Sequence, residues 1–377
     1  MLNAGPRTPI LQFGTSRFLQ AHADLFISEA LAQGKALGQV TVAQTTANPA
    51  SASRVAALAG GGGYPVRIQG LEGGVVVDET RQCHAIAAAL SSAQDWPALR
   101  ALFNQVQVVL SNTGDSGYQL AAEDGPQALA AQAAAPVSFP AKLLVLLHGR
   151  WQANPEAPLS LFPCELVVRN GEVLRGLVSE LALSWQLPAG FIDYLHSTCR
   201  WANALVDRIV SAPLQPVGAV AEPYALWAIE RQPGLQLPCE HPAMVLTDNL
   251  EHYEHLKLFL LNLGHSWLAE RWLCDARPAT ETVYQALQDA ALNASLESLW
   301  AEEVLPVFAA RGQLAAARDY LASLRERLGN PFLEHRLADI AQHHGVKKQR
   351  RFGPVLRMGA QLPGLAQPRL AAALARG

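Results

Sequence analysis

The first 46 residues fix the kind of sheet this chain can build. A short apolar run, PILQF at 9–13, stops at Gly14. RFLQAHADLFISEALAQG then sets Phe18, Leu19, His22, Leu25, Phe26, Ala30 and Leu31 at helical spacing, and QVTVAQTT at 39–46 is a second β-type run. Strand, tight turn, helix and strand in that order make a βαβ unit, whose two strands lie parallel. The start of its helix offers free backbone N–H groups, a natural seat for a pyrophosphate. The turn reads G-T-S-R-F and matches G-x-G-x-x-G only in part. Dinucleotide-binding folds place an acidic residue near the end of the second strand to hold the ribose hydroxyls. Here those positions carry Gln44, Thr45 and Thr46, with Arg54 shortly after. Arg54 reads either as a surface arginine or as a seat for a 2′-phosphate, so the choice between NAD and NADP stays open.

The alternation continues. After four glycines at 60–63, YPVRIQGLEGGVVVDET alternates like a hairpin, and Ala85 to Asn104 reads as helix. QVQVVLSN (105–112) is a buried strand running into the polar NTGDSGY, a place where open α/β sheets bind ligands. Ala121 to Ala135 is alanine-rich and predicted helical. SFPAKLLVLLHGRW (138–151) is a helix after a proline turn, and LSLFPCELV (159–167) a strand closed by Arg169-Asn170-Gly171. Helical periodicity resumes in VLRGLVSELALSWQLP and FIDYLHSTCRWANALVDRIV. Residues 211–245 hold Pro213, Pro216, Pro223, Pro233, Pro238 and Pro242 and read as a linker with one island at 222–230, and from Asp248 onward every segment reads as helix. The chain therefore parses as a doubly wound α/β domain over 1–230 followed by a mostly α-helical domain over 231–377.

Half of the 377 residues are hydrophobic and 16% are charged, which gives two packed cores and no disordered tract. A net charge of -3 gives no electrostatic case for nucleic acid. Five widely spaced cysteines without a C-x-x-C pair argue for reduced thiols in a cytoplasm and against a zinc knuckle. No basic-then-apolar leader is present, and no apolar run approaches the roughly 18 residues of a membrane span, so a soluble, cytoplasmic protein with no membrane partner is expected.

The stretch HYEHLKLFLLNLGHS (252–266) is apolar on most sides yet carries Lys257, Asn262 and His265. At roughly 100° per residue these three fall within an arc of about 140°. Burying a lysine, an amide and an imidazole on one face is unfavourable unless they bind one another, a ligand or water. Desolvation turns a lysine into a general base, and an amide and an imidazole beside it can hold a hydroxyl and the oxygen it becomes. The plainer alternative has Lys257 reaching solvent and pairing with Glu254, with Asn262 and His265 as satisfied core polars. His252 and His255 form an H-x-x-H pair, but no cysteine lies nearby, and no metal site is expected.

Taken in order, FGTSRFLQAHADLF, VVLSNTGDSGY, SFPAKL, FPCELVVRNG, ANALVDRIV, K-x4-N-x2-H followed by Ser266, and LGNPFLEH resemble the polyol-specific long-chain dehydrogenases, the mannitol dehydrogenase family, over nearly the whole chain. The resemblance implies a zinc-independent secondary-alcohol dehydrogenase using NAD, with NADP left open. Its Rossmann-like doubly wound domain precedes a helical catalytic domain. It implies Lys257 as general acid/base, Asn262 as the amide on the alkoxide and His265 as a substrate-binding histidine. Gly14, Ser16, Arg17 and Phe18 match the cofactor turn, and Ser111, Asn112, Thr113 and Gly117 the polar loop along the dinucleotide. Asp207 lies in the matching VDRI motif.

The PCEL and SFPAKL pieces resemble the hexuronate branch, the tagaturonate and fructuronate reductases. A uronate carboxylate calls for cations, and Arg327, His335, Lys347, Lys348 and Arg351 are candidates, with a solvated basic surface as the alternative. The implied partner is a small-molecule sugar acid or polyol. A mannitol-type polyol dehydrogenase and a non-catalytic dinucleotide-binding sensor are the rival readings. Two departures stand out: Ser16 replaces the usual second glycine of the turn, and Cys164-Glu165-Leu166 replaces a C-D-N motif, so Leu166 supplies no second oxyanion amide.

Overall fold

Four short runs, ILQF, VTVAQ, VVLS and LSLFP, are buried along their whole length in the computed structural model, which describes residues 8–46, 52–114 and 117–376. Strands covered on both faces read as such continuous runs, and these four form the centre of a parallel sheet. In chain order the strands are β1 (Ile10–Phe13), β2 (Val40–Gln44), β3 (Tyr64–Glu72), β4 (Val75–Cys83), β5 (Ile86–Ser91), β6 (Val108–Ser111), β7 (Leu159–Pro163), β8 (Cys199–Trp201), β9 (Ala204–Asp207), β10 (Val210–Pro213), β11 (Ala219–Ala221), β12 (Leu226–Glu230) and β13 (Met244–Thr247). The main sheet has the order β5-β2-β1-β6-β7-β8. Ile10 of β1 stands opposite both Val40 of β2 and Val108 of β6, all parallel. The order reverses between β1 and β6, which makes their carboxyl ends a topological switch point.

Helices seat on this sheet through identifiable sequence devices. SFP starts the helix Phe139–Ala153: Ser138 Oγ accepts from Ala141 N, and the proline sits in the first turn. The helix carries two buried cations, Lys142, which donates to Val137 O at 2.6 Å, and Arg150, which donates to Phe103 O at 2.7 Å and Pro158 O at 2.8 Å. In the RNG motif, Arg169 adopts φ 52°, and a Cβ on Gly171 would meet Ala202 O at 2.5 Å. Asn170, fully buried, donates to Pro163 O and Ala204 O at 2.9 Å and accepts from Ala204 N at 2.9 Å, tying the end of β7 to β9.

Several segments depart from the sequence reading. Ala85–Asn104 splits into β5 and a helix at Trp96–Phe103, because parallel pairing with β2 overrides the helical propensity of IAAALS. The alanine-rich 121–135 forms only a short 3₁₀ turn, Pro126–Leu129, bounded by Gly125 and Pro136. The stretch 199–213 is β8, β9 and β10, and the proline-rich region holds β11, β12 and β13. KKQRR lies on the helix His344–Arg351.

The chain divides into two compact units: Met1–Arg67 with Thr80–Ala221 and Ala225–Leu250, and Ile68–Glu79 with Glu222–Tyr224 and Glu251–Gly377. Residues 231–250 stay with the first unit because β13 pairs parallel with β12, Met244 opposite Trp227. The second unit is helical apart from the hairpin tip at 68–79. That tip is held by Glu326, which accepts from Gly73 N and Gly74 N at 3.1 and 2.8 Å, and by Asn330, which donates to Gln69 O at 2.9 Å. Among the described residues no helix is long and apolar enough to cross a membrane.

Candidate active site

The first unit builds a polar rim at the switch point. Gly14 follows β1 at φ +109°, and a Cβ there would lie 2.5 Å from Asn112 O, so the position admits only glycine. Ser16 caps the short helix Arg17–Gln20 by accepting from Leu19 N at 3.2 Å, and its hydroxyl donates to Asn112 Oδ1 at 3.2 Å. Asn112 Nδ2 in turn donates to Cys164 O at 2.9 Å. The serine that departs from the glycine pattern thus cross-links the turn after β1 to the loop after β6. Arg17 is exposed, and Phe18 stacks on His22 with ring centroids 4.9 Å apart.

Glu165, which sequence reasoning did not single out as a site residue, organises the loop after β6. Its carboxylate accepts from Ser111 Oγ, Thr113 N and Thr113 Oγ1, each at 3.0 Å, and from Tyr118 Oη at 3.3 Å. Burial raises its pKa and these donors oppose the rise. Ser111 and Thr113 therefore turn their hydroxyls inward to Glu165. Gly117 sits where a Cβ would meet Thr113 Oγ1 at 1.8 Å, which requires glycine. Leu166, in place of the oxyanion amide, is exposed at 67%. The signal for Glu165 was a carboxylate two residues past a strand, LSLFP, that is buried along its whole length. Asp207 is buried at the end of β9, opposite Leu226 of β12.

These residues fit a dinucleotide. The glycine turn, the asparagine and the serine cluster at the carboxyl ends of β1 and β6, where a doubly wound sheet opens a crevice.

In the second unit, the helix that starts at Leu250–Leu256 passes through one turn of π-helix, Lys257–Asn262, before continuing as Leu263–Cys274. Leu263 N bonds to Leu258 O, five residues back. With roughly 4.4 residues per turn, Lys257 and Asn262 come within about 50° of each other in projection instead of about 140°. Trp300 fixes this segment: its Nε1 donates to Leu260 O at 3.3 Å, and its ring lies where a Cβ on Gly264 would be 2.7 Å away. Lys257 and Asn262 are half-buried, His265 and Ser266 buried. Arg351 Nη1 donates to Asn262 O and to Ser266 Oγ.

His265 meets His335 edge-on, ring centroids 4.7 Å apart, and its Nε2 is buried without a partner among the described residues. Burial holds the His265 pKa well below its usual value, and the charges of His335, Arg351, Arg327 and Lys347 push it the same way. His265 is a neutral imidazole in a positive field.

Two expected carboxylate binders are committed elsewhere. Arg327 makes a two-pronged buried pair with Glu222, at 2.8 to 3.2 Å, and its guanidinium lies 4.1 Å from the centre of the Tyr224 ring. Lys348 donates to Glu270 Oε2 at 2.9 Å and to Ala373 O at 2.8 Å, fully buried. Both are taken up by partners that remove their charge from solvent. Lys347 donates to Ile340 O at 2.8 Å, and His335 is the one that stands beside His265. His255 pairs with Glu251 at 3.4 Å and stacks on Phe259.

Comparison with known proteins finds relatives over most of the chain. A family model described as the mannitol dehydrogenase Rossmann domain matches residues 8–238, and one described as the mannitol dehydrogenase C-terminal domain matches 249–377. The altronate oxidoreductase of Klebsiella pneumoniae (strain 342) is 31% identical, covering 97% of this chain and 78% of the relative. That of Bacillus subtilis (strain 168) is 28% identical over 96% and 77%. In fold the chain is similar to a substrate-free D-sorbitol dehydrogenase (TM-score 0.81, 19% identity, 98% and 80% of the two chains). It is similar too to Pseudomonas fluorescens mannitol 2-dehydrogenase in complex with NAD and D-mannitol (TM-score 0.76, 19% identity, 98% and 78%). Matched by two family models that together span nearly its whole length, the chain belongs to the mannitol dehydrogenase family.

Proposed function

We propose that this chain is an NAD-dependent oxidoreductase that interconverts the secondary alcohol and ketone of a sugar acid, of the tagaturonate/altronate or fructuronate/mannonate type. The observation that carries the reading is the buried, unpartnered Nε2 of neutral His265, beside Ser266, which the Arg351 guanidinium binds, and on the same helix as Lys257 and Asn262. A positive field favours a developing alkoxide and an anionic substrate alike. The altronate oxidoreductases at about 30% identity support the sugar-acid class. All five cysteines are free thiols, which suits a reducing cytoplasm.

Held at the Gly14 turn and Asn112, NAD would supply the acceptor for the hydride of the carbinol C–H bond. Lys257 Nζ accepts the hydroxyl proton as that bond breaks, the Asn262 amide donates to the oxygen, and His265 holds it through Nε2. In the reductive direction the Lys257 ammonium returns the proton to the new alkoxide. Glu165 holds the loop after β6 in shape through Ser111 and Thr113 and takes no part in proton transfer.

The test is a panel assay of nicotinamide absorbance with tagaturonate, fructuronate, fructose and fructose 6-phosphate. Rapid oxidation of NADH with a hexuronate is expected. Turnover of fructose alone moves the chain to the polyol class and overturns the sugar-acid reading.

A further inference from the structure

An NAD-selective site needs an acceptor for the ribose hydroxyls at the end of the second strand. In this chain that position is Gln44, and its carboxamide is consumed from both ends. Oε1 accepts from Thr15 Oγ1 at 2.9 Å, and Nε2 donates to Thr46 O at 3.2 Å and Thr46 Oγ1 at 2.9 Å. From Gln44 to Arg54 the sequence, QTTANPASASR, contains no carboxylate. Asp95, after the neighbouring strand β5, is turned to its own backbone, accepting from Ser91 N at 2.8 Å.

A cation stands in the same place. Arg54, on the helix Ala52–Ala59, donates from Nη1 to Thr15 O at 3.3 Å, which anchors it on the turn that follows Gly14. Among the described residues it has no carboxylate partner. Its Nε and Nη2 donors are left over, in the planar fork that matches phosphate oxygens two at a time. Anchored on the cofactor turn, without an acid to neutralise it, and replacing the acid that would repel a phosphate, this arginine favours a dianion at the ribose.

We propose that Arg54 forms a subsite for the 2′-phosphate of an adenine dinucleotide, so that the chain binds NADP(H) as well as NAD(H). The inference rests on the dinucleotide reading of the Gly14 turn and adds the specificity element at its adenosine end. Gln44 contributes by its neutrality, and Thr15 by orienting the guanidinium.

Calorimetric titration of the purified chain tests it without turnover, using NADH, NADPH, and the fragments 2′,5′-ADP and 5′-ADP. The unmodified protein is expected to bind NADPH within about tenfold of NADH, and 2′,5′-ADP more tightly than 5′-ADP. Arg54→Ala is expected to weaken NADPH and 2′,5′-ADP by about tenfold or more, the loss of a charge-assisted pair, and to leave NADH within about threefold. Arg54→Gln, which keeps a donor for Thr15 O, should show the same split if Arg54→Ala folds poorly. NADPH affinity that does not change in either variant overturns the proposal, as does NADPH binding hundredfold weaker than NADH in the unmodified chain. Binding of NADH alone sinks only this subsite, whereas failure of both dinucleotides to bind overturns the cofactor reading beneath it.

Discussion

Arg351 Nη1 donates to the backbone carbonyl of Asn262 at 3.1 Å, and the same nitrogen reaches Ser266 Oγ at 2.8 Å. Asn262 is the last residue of the π turn and the N-cap of the helix Leu263–Cys274, so Arg351 ties the end of the turn to the first turn of that helix. Burial lowers the Arg351 pKa to about 10, which still leaves the guanidinium charged at neutral pH. Arg351→Met should release the turn, cutting kcat/KM by roughly ten- to hundredfold while NADH affinity stays constant. Lysine at that position should restore part of the loss. Steady-state kinetics and nucleotide titration on the two variants decide it.

Lys257→Ala should remove turnover and spare binding. Loss of a general acid/base lowers kcat by about 10² to 10⁴. Dinucleotide affinity should remain within about twofold, because the role proposed for Lys257 is on the substrate oxygen. Unchanged kcat in this variant would take the proton-transfer role away from Lys257.

The Arg327–Glu222 pair separates a structural cation from a substrate-binding one. Arg327→Met strands a buried carboxylate, at a cost of about 3–5 kcal/mol, and the melting temperature should drop accordingly. The double variant Arg327→Met with Glu222→Leu removes both charges and should recover most of that loss. If Arg327 is structural, the double variant keeps its KM for a hexuronate. A tenfold rise in KM with stability recovered would return Arg327 to the substrate.

Asp24 makes stability fall with rising pH in a defined window. It is buried on the helix Ala23–Ala32, where Oδ2 accepts from Tyr64 Oη at 2.9 Å and Gln12 Nε2 at 3.4 Å, and Oδ1 has no partner among the described residues. Burial raises its pKa from 3.8 to about 7. The folded chain therefore holds this proton more tightly than the unfolded one, so stability declines as pH climbs from about 4 to about 7 and levels off above. Asp24→Asn should flatten that decline and be the more stable protein at pH 8, by an amount on the order of 3–4 kcal/mol. Thermal melts of both proteins across pH 4.5–8.5 are the check.

The βαβ opening and the helix at SFPAKL were legible because each rests on local periodicity and local capping; the helix that carries Lys257, Asn262 and His265 was legible too, but the π turn that sets their spacing was not. What stayed hidden depends on pairing across long distances. β5 is written in alanines that favour helix, and only alignment beside β2 makes it a strand. β12 and β13 lie among prolines that resemble a linker until Met244 is set opposite Trp227. Charge was misleading for the same reason: nothing in the sequence near Arg327 or Lys348 announces Glu222, 105 residues away, or Glu270, 78 residues away. Glu165 was quoted only as part of a motif, yet four hydrogen bonds from the end of β6 and the loop after it converge on it.

A π turn holds one more residue than the α turn it replaces, and that makes the length of this helix a chemical variable. Removing a single residue between Lys257 and Asn262 would restore the ordinary spacing. Lysine and amide would then stand four residues apart, about 40° in projection, much as the π turn holds them at about 50°; keeping all the residues but losing the π turn would instead part them by about 140°. Here five intervals fill the arc that four ordinarily fill, so it is straightening the turn, not shortening it, that would separate Lys257 from Asn262 while keeping every side chain.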